Sequence, residues 1–324
     1  MKQGLLLIVL LAFNMATAFA QEEGCTDIFA TNYDAGAVND DGSCAYATVL
    51  FNPTFRSLLP QEVQETSGIF FHNGRLWTHN DSGGKPILYA LDTATFEVVQ
   101  RVTLKNATNH DWEDVCCDGT TVFVSDCGNN KGNRKDLKIY LFPVNQLPED
   151  GDASIMVDSI MLTYADQTSF EKRKRDNDFD CESIFATERY LYLFSKNWES
   201  GTTRMYRLEK HPGTQVAEVV NWFDAKGLIT GADYNAELNV IAIVGYVNKI
   251  WEPFLFLIYD FDEDAVTAHG RRLEMPNLMG AQTEGICFYD GYKCFITAET
   301  SPTFTTRVFV ADFAKWLDKD RKKR

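Results

Sequence analysis

The sequence predicts an all-β fold: a five-bladed β-propeller closed by an N-terminal strand and preceded by a small disulfide-closed module. Three observations predict it. A short pattern that opens a strand recurs five times after residue 47. The fifth recurrence lacks the fourth strand the others have, while an unassigned strand stands where the region begins. Ahead of that region, two cysteines bracket an Asp-rich loop.

Residues 1–20 read as a secretory signal. Lys2 supplies a positive start, Leu5 to Phe13 a short apolar run, and Ala18-Phe19-Ala20 a small-residue cleavage site. The run is too short to span a bilayer, and no other apolar stretch approaches that length, so no membrane span is expected. The destination is secreted or periplasmic. Eight cysteines behind such a leader imply an oxidising compartment.

Residues 21–46 form the module, GCTDIFATNYDAGAVNDDGSCAY from Gly24 to Tyr46. Cys25 and Cys44 are its expected disulfide. Asp27, Asn32, Asp34, Asn39, Asp40 and Asp41 are hard oxygen donors that suit a second Ca²⁺ within residues 27–41. The same residue types also make turns without any ion. The segment resembles a short module of secreted Bacteroidota-type proteins, of the form GCTD-x-x-A-x-NY-x-x-x-A-x-x-DDGSC.

Residues 47–313 carry the repeat. Its openings are Ser67-Gly68-Ile69, Glu113-Asp114-Val115, Glu182-Ser183-Ile184, Thr230-Gly231-Ala232 and Glu284-Gly285-Ile286. A turn, a second strand and an aromatic third strand follow each. The first four add a fourth strand, near 98–104, 155–164, 216–223 and 265–273; residues 48–55 are expected to complete the fifth. That closure would remove the sheet edges an open array exposes. The long interval between Glu113 and Glu182 leaves room for a sixth, divergent blade as the alternative. Cys287 and Cys294, flanking a Tyr289-Asp290-Gly291-Tyr292 turn, are a second candidate disulfide. Cys116, Cys117, Cys127 and Cys181 have no assigned partner. Residues 314–324 read as a charged, solvated tail.

In a propeller the first strands line the central tunnel, so equivalent positions converge. Here they are Ser67, Glu113, Glu182, Thr230 and Glu284. Three carboxylates and two hydroxyls on one axis repel unless a proton or cation balances them, and Ca²⁺ fits such a set. Second strands end at the same face, which places Asn80, Asp81, Asp126, Lys196, Asn197 and Glu299 at the mouth, with Arg134 following. Asp81 is expected to act as a base, or Asp81 and Asp126 to hold a second metal. Lys196 and Arg134 are placed to grip an anion, with Asn80, Asn197 and Glu299 beside them. The basic run Lys172 to Arg175 precedes Glu182 and is expected to cross the mouth.

The order Ser, Glu, Glu, Thr, Glu, one per blade, resembles the calcium-activated nucleotidases (apyrases). So do Leu76-Trp77-Thr78-His79-Asn80-Asp81-Ser82-Gly83-Gly84 and Asp111-Trp112-Glu113-Asp114-Val115. The resemblance implies a central calcium and hydrolysis of phosphate anhydrides or esters, although the RGTN-like stretch and arginine segments of that family are absent. The HNDSGG, DWED and DCGNN segments look closer to uncharacterised secreted bacterial propellers. The competing expectation is a non-catalytic propeller that binds a ligand or partner around a structural calcium.

Composition narrows the partners. A formal net charge of −15 over 324 residues disfavours nucleic acid. A small anionic ligand and a monomeric state are expected. The chain has no G-x-S-x-G elbow, P-loop or H-E-x-x-H, so serine-esterase, P-loop and zincin chemistry have no support.

Overall fold

The computed structural model describes residues 23–27, 30–41, 43–264 and 267–317. The leader segment and the basic residues Lys319 to Arg324 lie outside the described residues. The chain divides into two compact units, with the boundary between Ala47 and Thr48.

In the first unit, β1 (Glu23–Gly24) pairs in parallel with β2 (Asn39–Asp40), and Cys25 is joined to Cys44. Its polar side chains serve turns. Asp34 accepts the Gly36 amide and Asp41 the Ser43 amide, both at 2.8 Å, while the Asn32 amide group bridges to Ser43 and Ala45. Asp27 accepts a bond from the Tyr46 hydroxyl.

The second unit is built of strands. In chain order they are β3 (Thr54–Leu58), β4 (Thr66–His72), β5 (Arg75–Asn80), β6 (Ile87–Asp92) and β7 (Val98–Leu104). Then come β8 (Asp114–Cys117), β9 (Thr121–Asp126), β10 (Lys138–Pro143), β11 (Ala153–Ile155) and β12 (Asp158–Tyr164). Next are β13 (Cys181–Ala186), β14 (Tyr190–Ser195), β15 (Thr203–Glu209) and β16 (Gly213–Phe223). The last are β17 (Leu228–Asn235), β18 (Val240–Val247), β19 (Glu252–Asp262), β20 (Thr267–Glu274), β21 (Gln282–Asp290), β22 (Lys293–Glu299) and β23 (Arg307–Asp312).

The arrangement is propeller-like. Each repeat is an antiparallel meander, and its first strand packs against the first strand of the next: β4 on β8, β8 on β13, β13 on β17, β17 on β21, and β21 back on β4. Clusters of buried side chains lie between neighbouring meanders, such as Phe70, Trp77, Trp112 and Tyr140 between the first two. Middle strands are therefore buried on both faces, as in β14 and β18. That explains why these segments read as continuous apolar runs without alternation.

Four expectations are corrected in detail. The strand that pairs with β23 is β3, antiparallel from Thr54 to Leu58, a few residues later than the segment expected there. Residues 49–51 instead bond Glu274, at the end of β20. The segment expected as one strand over 155–164 is two: β11 runs parallel to β7 in the first repeat, and β12 pairs with β10 in the second. β12 also pairs in parallel with β16, so the outer edges of the second and third repeats cover each other. The long second interval holds these strands and a connection over 165–180, with no further sheet among the described residues. The expected tail begins as a short helix, α1 (Ala314–Leu317), anchored by Phe313, Leu317 and an edge contact of Trp316 on Phe51.

Cys287 and Cys294 are not a disulfide. A bulge near the turn pairs Cys287 with Phe295 and Cys294 with Phe288, so the two thiols point to opposite faces of the sheet. Alkylation of the unfolded, unreduced chain followed by intact-mass measurement is expected to find six thiols. Finding four would show a second bridge, and peptide mapping would say whether it joins Cys287 to Cys294.

Candidate metal centre

The ring positions owe their geometry to β-bulges. Pairing of the first strand with the second slips between Thr66 and Ile69, Cys181 and Ser183, Ile229 and Gly231, and Thr283 and Gly285. Ser67, Glu182, Thr230 and Glu284 fall in those slips. Glu113 sits just before β8, its amide on the Ser125 carbonyl at 3.0 Å, while Asp114 pairs with the same Ser125. A bulge leaves its extra residue out of the ladder and re-aims the side chain. The glycine after Ser67, Thr230 and Glu284 follows from crowding. A Cβ on Gly285 would lie 2.5 Å from the Ser67 carbonyl oxygen of the neighbouring first strand.

First strands of neighbouring repeats do not share a ladder, so side chains join them. The Ser67 hydroxyl donates to the Glu113 carbonyl, and the Thr230 hydroxyl to the Thr283 carbonyl. Asp114 accepts the Ile184 amide and Asp233 the Phe288 amide, each at 2.8 Å.

At the mouth of this ring is a polar cavity of about 110 Å³. Ser67, Glu113, Glu182 and Glu284 line it from the first strands, and Asp81, Lys196 and Glu299 from the ends of the second strands. Of the twelve residues proposed from sequence, these seven are brought together. The other five are not in the lining. Thr230 is engaged with the neighbouring backbone. Asn80 clamps residues 62–65, donating to the Glu62 carbonyl and accepting the Glu65 amide. Asn197 is buried and donates to the Ser200 hydroxyl. Asp126 is fully buried and accepts both the Arg134 guanidinium, at 3.0 Å, and the Asp111 amide. Arg134 is further held by Asp136 and the Gly128 carbonyl.

Two acids that sequence reasoning did not choose complete the centre. Ligand atoms of Asp81, Asp111 and Glu113 lie within 4.8 Å of one another, and so do those of Glu113, Asp180 and Glu182. Glu113 belongs to both groups. The signal was present as a repeated spacing: Asp111-Trp112-Glu113 and Asp180-Cys181-Glu182 each place an acid two residues before the ring position. Gly128 makes room for this, since a Cβ there would collide with Glu113 and stand 2.5 Å from the Asp111 carboxylate.

Electrostatics divide the cavity. The Lys196 ammonium is 2.8 Å from Glu182, with both side chains about 95% buried (6% and 5% exposed). It also rests over the rings of Trp198 and Tyr246, at 5.2 and 5.3 Å. Burial alone would push this amine down; Glu182, Tyr246 and Glu284 overrule it and hold the ammonium well above the usual lysine range. The half around Glu182 and Glu284 therefore contains its own cation. Asp180 is committed too, accepting the Asn129 amide and the Trp198 indole N–H. Asp81, Asp111 and Glu113 form no ion pair among the described residues, although Arg175, over the Trp198 ring, also lines the cavity. Burial, with Glu182 and Asp81 nearby, raises Glu113 well above the carboxylate range. Asp81 is pushed to about 7 by burial and by Glu182 and Asp111, and Glu299 to about 8 by burial and Asp81.

A pH dependence follows. Asp81 and Glu299 hold protons in the folded chain up to about pH 7 and 8, but when unfolded they ionise near pH 4. Their contribution to stability is thus full below about pH 4 and is lost as pH rises through 7 to 8. In chelator, Tm is expected to fall between pH 5 and 8.5; Ca²⁺, replacing the protons, should flatten that fall. A Tm that rises over this range would contradict the assignment.

No family model matches the chain, and no curated protein matches it in sequence. Solved structures similar in outline include the PQQ-bound aldose sugar dehydrogenase from Streptomyces coelicolor. That protein is 8% identical, with 82% of this chain and 97% of that one covered at a TM-score of 0.47. Hydrazine synthase from Kuenenia stuttgartiensis is 12% identical, with 79% and 67% covered at a TM-score of 0.43. Likeness at this level carries nothing about chemistry.

No helix among the described residues is long and apolar enough to cross a membrane.

Proposed function

We propose that the protein is a secreted or periplasmic five-bladed β-propeller, closed by β3, that binds Ca²⁺ at its tunnel mouth and hydrolyses phosphate esters or anhydrides there. The observation that carries this reading is the trio Asp81, Asp111 and Glu113, whose ligand atoms lie together and form no ion pair among the described residues; Asp81 and Glu113 line the cavity. Buried carboxylates at such spacing are stable only when protonated or shared with a cation, and an all-oxygen set favours a hard one. These three residues would hold it, with the Ser67 hydroxyl beside them. A bound Ca²⁺ would polarise a phosphoryl oxygen. Glu299, held by Gln282 in the same cavity, would take a proton from an attacking water once it is ionised, which in the ion-free chain is above about pH 8. The five closely packed first strands and the β3–β23 pairing support the blade count and the closure.

One observation favours a second reading, a non-catalytic propeller with a structural cation. The Lys196 side chain already fills the Glu182 half, and about 110 Å³ is small beside the roughly 300 Å³ of the least roomy ligand pockets.

Assay of the purified mature protein against nucleotides and simple phosphoesters, with Ca²⁺ and with chelator, separates the two. Calcium-dependent turnover supports hydrolysis. Calcium-dependent thermal stabilisation without turnover on any of them leaves the binding propeller. Neither effect would remove the cation as well.

A further inference from the structure

Next to the acidic cavity lies a groove of about 650 Å³ with the opposite character. Lys131, Lys135 and Lys172 line it together with the amides of Asn129, Asn130 and Asn133. Its size is within the range of small-molecule sites. On a chain of net charge −15 a concentration of cations is out of balance with its surroundings.

Three carboxylates of the surrounding segments are already paired. Asp136 is bound by Arg134 at 3.1 Å and by His110 at 3.2 Å, Asp126 by Arg134, and Glu199 by Arg173. No ion pair among the described residues uses Lys131, Lys135 or Lys172. Lys135 lies over the Phe170 ring, 4.9 Å from its centroid, which sets its direction without neutralising it.

The two basic segments come from different repeats and are tied together by their backbones. The Arg173 amide donates to the Lys131 carbonyl at 2.9 Å, and the Arg175 amide to the Asn130 carbonyl at 2.8 Å. Gln167 donates to the Gly132 carbonyl, and Asn177 to the carbonyls of Asn130 and Arg173. Gly132 has a φ of +68°, and a Cβ there would stand 2.7 Å from the Asn177 side chain, so the loop folds tightly on its neighbour. The lysines are therefore presented on a fixed wall. With the backbone held, an anion has only the lysine side chains to order, a smaller loss than a floppy basic tail incurs. Asp111 lies between the groove and the acidic trio and belongs to both.

We propose that this groove is a binding site for an oxyanion group, phosphate or sulfate, of a small-molecule ligand whose other end reaches past Asp111 toward the cavity. Lys131, Lys135 and Lys172 supply the charge, and the Asn130 and Asn133 amides supply neutral donors. The site does not depend on a cation at the trio or on any turnover.

Calorimetric titration of the full chain with inorganic phosphate, and separately with sulfate, tests this in chelator at fixed ionic strength. Saturable binding is expected, at least roughly tenfold weaker in a Lys131→Gln/Lys135→Gln/Lys172→Gln variant, the loss of about one charge-assisted hydrogen bond. The three side chains are exposed, so circular dichroism and Tm should not change; if they do, Lys172→Gln alone gives a smaller loss in the same direction. Tighter binding of one anion names the group. Equal binding by wild type and triple variant overturns the proposal, as does no saturable binding at millimolar anion. Capture only of long polyanions also overturns it, since the groove would then be a diffuse electrostatic surface. Because chelator is present and no substrate is used, failure here is distinguishable from failure of the hydrolase reading.

Discussion

Replacing Lys196 by methionine is expected to lower stability by about 3–5 kcal/mol, because it strands Glu182 in a buried site without its counter-charge. The ammonium lies 2.8 Å from Glu182, and the two aromatic faces it rests on exclude water around it. In thermal unfolding the change should appear as a fall in Tm of roughly 10 °C for a domain of this size. Adding Glu182→Gln to Lys196→Met should recover most of the loss, since a neutral pair of similar volume needs no partner charge. If Lys196→Met alone shifts stability by less than about 1 kcal/mol, the amine is not the internal cation of the cavity.

Glu113→Gln should act in two opposite directions. Glu113 is raised well above the carboxylate range by burial and by Glu182 and Asp81, so the neutral amide relieves repulsion and the chelated protein should become more stable. The same change removes the residue common to both acidic groups, so the stabilisation by Ca²⁺ should vanish. At a thousandfold excess over Kd that stabilisation is about 4 kcal/mol for a single site. Paired melts with Ca²⁺ and with chelator read both effects. A variant that keeps the full calcium response would remove Glu113 from the metal centre.

Both predictions concern a place where local pattern and tertiary contact contribute differently. The five repeat openings are legible because each is a small or acidic residue, one variable residue, then an aliphatic or small one. A glycine at the variable place allows the next strand to pass, as Gly285 does for the Ser67 carbonyl. The partners of the ring positions are less legible. Asp180 lies two residues before Glu182, yet only the fold shows that its carboxylate reaches the Asn129 amide from another repeat. Asp126 and Arg134 look like mouth residues in sequence. In space Asp126 is fully buried and bound to Arg134, a pairing eight residues apart that no strand period announces.

The sequence by itself determined the class of fold, the strand left over at the start of the repeat region, the Cys25–Cys44 loop and the acidic ring positions. Each of these is local: a strand period, a turn, or one residue at a fixed place in a repeat. Only the tertiary structure decided how charge is shared among the ring residues. Bulges turn four of those side chains out of the strand ladder, and Lys196 comes from the end of a neighbouring strand to neutralise Glu182. What remains is the acidic trio Asp81, Asp111 and Glu113. The physical reason is that a buried charge is governed by whatever lies within a few ångströms of it; bulged pairing within a repeat brings Lys196 to Glu182, and packing between repeats brings Asp81 to Asp111 and Glu113.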